Sequence, residues 1–440
     1  MKLIKRLLSV YLLVAVGYFA AAADLSLDEA RSLALANSKT LASLTLSAQS
    51  AALDEKLQFY NSLPSLSLSS TASASTPTTG VSTADSVSAV VQASVSQTVF
   101  DGGKNSVLAA IDSISSSIAK ETARSEYYSV LKEIDSAWYS LLEAYAARDA
   151  AVAAIDAANL ALSIAKVRYD SGAVSTTDYL EAEADAEAKQ TALSQAKRNI
   201  SVYALNVSAL TGLSPLPAIT PIDFSLYETL ITRLAVYSDS DTAKFIDNLT
   251  SIVLANNPDL AKAALTSTKS EKAVSLAVVE YFPTVSASVT GGVNYTVPDG
   301  VSSPSAKVSL TASVPLDAWK TGVSVASSKL AQKQSALSLS DSRQTVGISL
   351  QTAVYDCISE AQSVVSSAKA LEYAQKHYEN VLALYRLNSA STSNLSDASS
   401  LVSTNTTNLI SARYNFLSGL SAIKALSALD NDAKVLDLIP

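Results

Sequence analysis

Hydrophobic positions along this chain repeat every three or four residues over long stretches. That period is typical of helices that bury one face. In the first half of the chain it predicts three helices, over residues 25–60, 104–169 and 176–213. The last helix alternates steps of three and four, the spacing of a coiled-coil seam, through Leu193, Ala196, Ile200, Tyr203, Val207 and Leu210.

Two segments between the first and second helices change to a period of two. Leu66 and Leu68 alternate with serines, and valines alternate with polar residues in the second segment. A polar loop separates them, so we predict an antiparallel hairpin with strands at about 64–75 and 87–99. Many positions on both faces are Ser, Ala or Thr, so the alternation alone does not define a lipid-facing side.

The same order of elements returns in the second half. Residues 169–213 align without a gap with residues 385–429, which lie 216 positions later. The seam then falls on Leu409, Ala412, Phe416, Gly419, Ile423 and Leu426. Further helices are predicted over 245–281 and 320–387, and strands at about 283–297 and 305–315. We therefore interpret the chain as a duplicated helix–β-hairpin–long helix–helix unit.

The amino terminus has the pattern of a secretory signal. Lys2, Lys5 and Arg6 precede an apolar run at 7–19 and then three alanines. No later segment looks like a transmembrane helix. The predicted organisation is a signal peptide, a first repeat, a linker or equatorial segment, a second repeat and a C-terminal tail, at residues 1–23, 24–213, 214–244, 245–430 and 431–440.

A short break precedes each seam and predicts a helix–helix tip, at 169–178 and 385–394. Gly172 suits the left-handed cap of the first tip, and Asn388 holds the equivalent position in the second. Asp178 and Glu181 follow three residues apart on one helix face. They either complement the helix dipole or contribute to a ring of carboxylates in an assembly.

Composition narrows the possible functions. The net charge of −8 leaves no basic stripe for a nucleic acid. Cys357 and His377 are the single cysteine and histidine, which excludes an intramolecular disulfide and a multi-histidine metal centre. Neither a Ser/His/acid set nor a phosphate loop occurs. We therefore predict no enzyme, no metal and no cofactor.

Five aromatic residues lie where predicted helices meet predicted strands: Tyr60, Phe100, Tyr281, Phe282 and Trp319. They either form a girdle at a membrane interface or fill the space between helices and sheet. Strands of this length suit a tilted crossing of a bilayer, but four strands cannot close a barrel. If they span a membrane, the protein must oligomerise.

The signal sequence, the ordered duplication and the tip pattern Y-x-x-G/N-x-x-S/T resemble the TolC family of outer-membrane efflux and secretion channels. The resemblance covers essentially the whole chain after the signal. It implies a mainly α fold with a small β part. A homotrimer would form a 12-stranded transmembrane β-barrel, continued by a long periplasmic α-helical coiled-coil barrel.

The same resemblance implies a passive exit duct of a tripartite efflux pump or type I secretion system, gated at its periplasmic tip. It would lie in the outer membrane of a Gram-negative-type cell, in contact with outer-membrane lipid, and extend into the periplasm. Its partners would be a periplasmic adaptor and an inner-membrane pump of RND or ABC type. The alternative is a secreted coiled-coil structural or adhesive protein without a pore.

Site residues follow from the resemblance at the second tip. Tyr385 matches the tyrosine of the family's pore entrance, and Asp397 matches its second acid. Asn388, Ala390 and Asn394 replace the family's glycine, arginine and first acid. The resemblance therefore implies a pore-lining role for Asp397. The sequence lacks the arginine that locks the entrance in the family.

Overall fold

The computed structural model describes residues 24–75, 86–297, 300–301, 304–387 and 389–429. The predicted signal peptide, the tail 431–440 and Asn388 lie outside these residues. In chain order the elements are α1 Leu27–Asn37, α2 Lys39–Tyr60, β1 Ser65–Ser75, β2 Ser86–Phe100, α3 Lys104–Asp170, α4 Thr176–Thr211, α5 Ser225–Ala235, α6 Asp239–Asn256, α7 Pro258–Val279, β3 Thr284–Val297, β4 Gly300–Val301, β5 Ser305–Ser313, α8 Ala318–Arg386 and α9 Thr392–Ser427. Long helices with one small sheet, in a duplicated order, confirm the predicted fold class.

The predicted opening helices, 25–60 and 245–281, were wrong in one respect: each is two helices. Ser38 leaves the helical region at ψ 108° between α1 and α2. Asn257, at ψ 122°, separates α6 from α7 and caps α7 by accepting from Asp259 N and Leu260 N. Pro258 explains the second break, because proline disfavours a helical conformation in the residue before it. Both breaks fall at the same place in the repeat.

The predicted linker 214–244 contains ordered structure. Helix α5 buries Leu230, Ile231 and Leu234, and α6 begins at Asp239, before the predicted start of the second repeat. A parallel bridge also forms, in which Leu25 N donates to Ala218 O at 2.7 Å. The segment therefore contains packed helical structure.

The described chain divides into two compact units. The helical unit contains the described parts of 24–39, 126–256 and 347–429, and the sheet unit those of 40–125 and 257–346. The core of the helical unit draws fully buried side chains from α3, α6, α8 and α9. The largest include Ile134, Trp138, Leu141, Phe245, Leu249, Leu350, Phe416 and Leu417.

An ionic cluster lies inside the helical unit. The Asp135 side chain is fully buried; Arg31 Nε lies 2.6 Å from its Oδ1, and Lys424 Nζ lies 3.1 Å from its Oδ2. Ser421 Oγ donates to the same Oδ2 at 2.7 Å. Burial opposes ionisation of Asp135, but the hydrogen bond from Arg31 and the charges of Lys424 and Arg31 outweigh it and hold its pKa below the usual range. The cluster ties α1 and α3 to α9.

One described helix, α3, is long and apolar enough to cross a membrane by length and composition alone. This finding differs from the expectation that no segment after the signal would do so. Alanines repeat through the second half of α3, and their mild apolarity raises the mean hydropathy of this helix. Alanines also suit a narrow coiled-coil seam.

The sheet unit contains an antiparallel sheet with strand order β1-β2-β3-β5, in which β4 also pairs with β3. The β2–β3 pairing joins the strands of the two repeats. Within the described sheet, β1 and β5 each pair with one strand, so each is an edge strand. Unpaired edges are not viable in hydrocarbon unless a further strand covers them.

Strand register sorts the side chains into two faces. One row runs across the sheet through Leu66, Val95, Val289 and Val308. The next row runs through Ser67, Ser94, Thr290 and Lys307. Serine hydroxyls on the second face pair across strands, as in Ser65–Ser96 and Ser67–Ser94, both at 2.7 Å. The sheet therefore has one apolar and one hydroxyl-lined face. The expectation that Ser, Ala and Thr mix on both faces was wrong, because the alanines of the four long strands lie on the apolar face and the threonines on the other.

Candidate functional site

The first helix–helix tip closes by local backbone hydrogen bonds. Gly172 adopts a left-handed φ of 73°, and Ala173 N donates to Arg168 O at 2.8 Å. This arrangement satisfies carbonyl groups at the end of α3. Ser175 then caps α4 through a capping box with Asp178, whose Oδ2 accepts from Ser175 Oγ at 2.8 Å.

The second tip repeats this backbone arrangement. Ser389 N donates to Leu384 O at 2.9 Å, at the positions equivalent to Ala173 and Arg168. Ser391 caps α9 by accepting from Asn394 N at 3.2 Å. Asn388, the predicted cap residue, is outside the described residues.

Tyr385 lies at the centre of the second tip. Its side chain is fully buried, and its hydroxyl oxygen is 3.4 Å from Thr392 Oγ1. The guanidinium carbon of Arg168, from the first tip, lies 4.3 Å from the centre of its ring. Arg168 Nη2 also donates to the Tyr385 carbonyl oxygen. One arginine therefore stacks on the ring and caps the C-terminus of α8, joining the two tips.

Tyr169 occupies the equivalent position in the first tip, and its surroundings differ. It is 40% exposed and stacks on Tyr179, with ring centroids 5.3 Å apart. The first tyrosine therefore packs within its own hairpin, whereas the second packs against the other hairpin.

The predicted acids occupy different environments. The carboxylate of Asp178 is engaged in the capping box, as expected for an acid that complements a helix N-terminus. Glu181 is half-buried, and Asp397 is exposed one turn into α9. Lys189 lies 3.8 Å from Asp185 and 3.4 Å from Ser400 of the other hairpin. Asp397 is therefore the most exposed of the three predicted acids.

Sequence reasoning missed Arg168, Tyr179 and Thr392. The resemblance placed the family's lock arginine in the second tip, where position 390 is alanine. The arginine that contacts Tyr385 is 217 residues away in the chain, on the first tip. Its position next to Tyr169 was the available signal, because the two tyrosines align in the repeat.

The five predicted interface aromatics all lie at helix–strand junctions in the sheet unit. Their exposure ranges from 44% for Tyr281 to 70% for Trp319. Phe282 packs on Gly102, where an added Cβ would lie 2.5 Å from the Phe282 Cβ. Gly102 also has a φ of 67°, so the β2–α3 turn requires glycine for two reasons.

Comparison with solved structures shows the fold. A membrane protein from Pseudomonas aeruginosa matches with a TM-score of 0.79 at 15% identity, covering 92% of this chain and 91% of that one. The CmeC outer membrane channel of Campylobacter jejuni matches with 0.78 at 15%, covering 93% and 88%. The outer membrane protein VceC of Vibrio cholerae matches with 0.77 at 16%, covering 91% and 96%. A comparison with curated proteins gives no match.

The family model described as "Outer membrane efflux protein" matches two segments, residues 30–213 and 249–428. The two matched segments confirm the duplication, and together they cover most of the chain. The family consists of efflux channels and is not a family of enzymes. The chain belongs to the outer membrane efflux protein family, whose members resemble TolC.

Proposed function

We propose that three copies of this chain form a passive exit duct across the outer membrane of a Gram-negative-type cell. The sheet carries the proposal. It has one apolar face, one hydroxyl-lined face and two edge strands, which lipid tolerates only in a closed barrel. Four long strands from each of three chains make twelve, within the range of outer-membrane barrels. The exposed junction aromatics would form the girdle at one interface.

The duct would serve a tripartite efflux pump or a type I secretion system. The helical unit would extend into the periplasm, where its tips would meet a periplasmic adaptor and an inner-membrane pump of RND or ABC type. Support comes from family membership and from exposed apolar side chains at the two tips. Leu180 is 53% exposed and Leu387 is 74% exposed.

Gating would occur at the contact between Arg168 and Tyr385. This contact joins the hairpin of the first repeat to that of the second, and its hydrogen bond caps the last turn of α8. If the second hairpin swings outward to open the duct, the stacked guanidinium and its hydrogen bond to the carbonyl must be broken. A closed tip is therefore favoured by a single arginine from the first repeat.

Single-channel recording in a planar bilayer tests the duct. The purified protein should conduct, and Asp397→Ala should lower cation preference because it removes three carboxylates from the proposed entrance. Asp247→Ala, which removes an exposed acid of α6, is the matched control and should leave the preference unchanged.

Two outcomes would contradict these roles separately. A protein that is recovered in the outer-membrane fraction but never conducts is not a duct. Conductance with the same ion preference in the native protein and Asp397→Ala would exclude Asp397 from the selectivity of the entrance.

A further inference from the structure

One charged side chain lies on the strands that the structure describes. The described residues of β1, β2, β3 and β4 contain no Asp, Glu, Lys or Arg, and β5 contains only Lys307. Lys307 is exposed. A charge inside an otherwise uncharged sheet therefore requires an explanation.

Register places Lys307 on the hydroxyl-lined face. It pairs with Thr290, which pairs with Ser94, which pairs with Ser67. Its neighbour Val308 belongs to the apolar row. Gly292 follows two residues after Thr290 on the same face and carries no side chain that could cover the ammonium group.

The height of Lys307 along the strand is also informative. It lies six residues from Ser313, the end of β5, which is about 20 Å along a strand at roughly 3.3 Å per residue. With the strands tilted, this position falls inside the roughly 25 Å apolar band of an outer-membrane barrel. A lysine at that depth is strongly destabilising towards lipid and tolerated towards a lumen.

We infer that Lys307 determines charge specificity in the barrel. In a closed trimer three ammonium groups would form a ring on the inner wall and favour cargo that carries carboxylate, phosphate or sulfonate groups. The inference rests on the proposed function, because it requires the hydroxyl-lined face to line a lumen. Neutral hydroxyls surround the ring, so the lysines set the sign of the local potential.

This barrel charge is opposite in sign to the acids at the tip. Asp397 would favour cations at the periplasmic entrance, whereas Lys307 would favour anions farther along the duct. A lysine on an edge strand can also discourage wrong strand pairing. That role predicts an effect on assembly and none on ion preference.

Reversal potentials in a salt gradient test the inference. At about 10 mM against about 100 mM salt, where the Debye length is about 30 to 10 Å, Lys307→Gln should lower the anion-to-cation permeability ratio about two-fold. Lys307→Glu should lower it further, about four-fold, because it reverses the charge. Lys307→Arg keeps the charge and should keep the native ratio.

Moving the charge separates the ring from a structural role. Ser305 lies on the same face of β5, two residues from Lys307. The double variant Lys307→Gln with Ser305→Lys should restore the native ratio. Equal ratios in Lys307→Gln, Lys307→Glu and native channels would overturn the inference, as would reduced trimer yield with an unchanged ratio. Absence of conductance in the native protein would instead overturn the proposed duct.

Discussion

The two tips share backbone hydrogen bonds and differ in their side-chain contacts. In both, a backbone N–H closes onto a carbonyl five residues earlier, and a serine caps the returning helix. Yet Tyr169 is partly exposed and stacks within its own hairpin, whereas Tyr385 is buried beneath Arg168 of the other hairpin.

This difference shows what duplication preserves. A capping residue bonds only to its own turn, so each repeat has its own cap: Ser175 at α4 and Ser391 at α9. The contact between copies runs in one direction, because the position equivalent to Arg168 is Leu384, which has no charge to place over Tyr169. A few substitutions between the two repeats are therefore enough to make the contact between the tips asymmetric.

The largest expected effect on stability comes from the buried ionic cluster around Asp135, which joins α3 of the first hairpin to α9 of the second away from their tips. Asp135→Asn leaves Arg31 and Lys424 without their buried carboxylate, which should cost about 3–5 kcal/mol of unfolding free energy. Chemical unfolding at neutral pH measures it. Asp28→Asn removes an exposed partner of the same Arg31 and should cost under about 1 kcal/mol.

The pH dependence of the stability that this ionic cluster contributes has a defined sign. The pKa of Asp135 is lower in the folded protein than in the unfolded chain. Its stabilisation is therefore complete above the unfolded pKa, about 3.9, and is lost as the pH falls through the folded pKa. Asp135→Asn should lack this component of acid destabilisation. Equal acid sensitivity in the variant and the native protein would contradict the assignment.

Truncating the two tyrosines compares the tips directly. Tyr385→Ala removes a fully buried ring and should destabilise its tip by about 3 kcal/mol. Tyr169→Ala removes a partly exposed ring and should cost about 1 kcal/mol, mostly from its stacking on Tyr179. Hydrogen exchange of the tip amides measures both. Similar losses of protection at the two tips would show that burial does not distinguish them.

Arg168→Met is expected to change stability as little as Tyr169→Ala does, but to have the clearest effect on gating. It removes the stacked guanidinium and its bond to the Tyr385 carbonyl, at a cost of about 1 kcal/mol. Open probability in single-channel recording should rise. Arg386→Met removes an exposed charge beside Tyr385 and serves as the control. An equal rise in both variants would attribute the effect to tip charge alone.

Several features could be predicted because they depend on neighbouring residues. The period of two located the strands near 65–75 and 86–100, and Gly172 marked the first turn. The break at Asn257 was also present in the sequence, in the Asn-Pro pair, but the long helical period masked it. The faces of the sheet were predictable strand by strand, because Ser and Thr alternate with Val, Leu and Ala in each of the four long strands; the expectation that Ser, Ala and Thr mix on both faces was wrong.

The sequence by itself determined the order of elements, their duplication and the chemistry of the turns, since these follow from periodicity and backbone preference over a few residues. Tertiary structure decided which distant side chains meet. Arg168 lies over Tyr385 from 217 residues away, and Asp135 meets Lys424 from 289 residues away. Periodicity and backbone preference do not identify the partner in either pair, because the energy of such contacts comes from burial and charge that only the packed helices bring together.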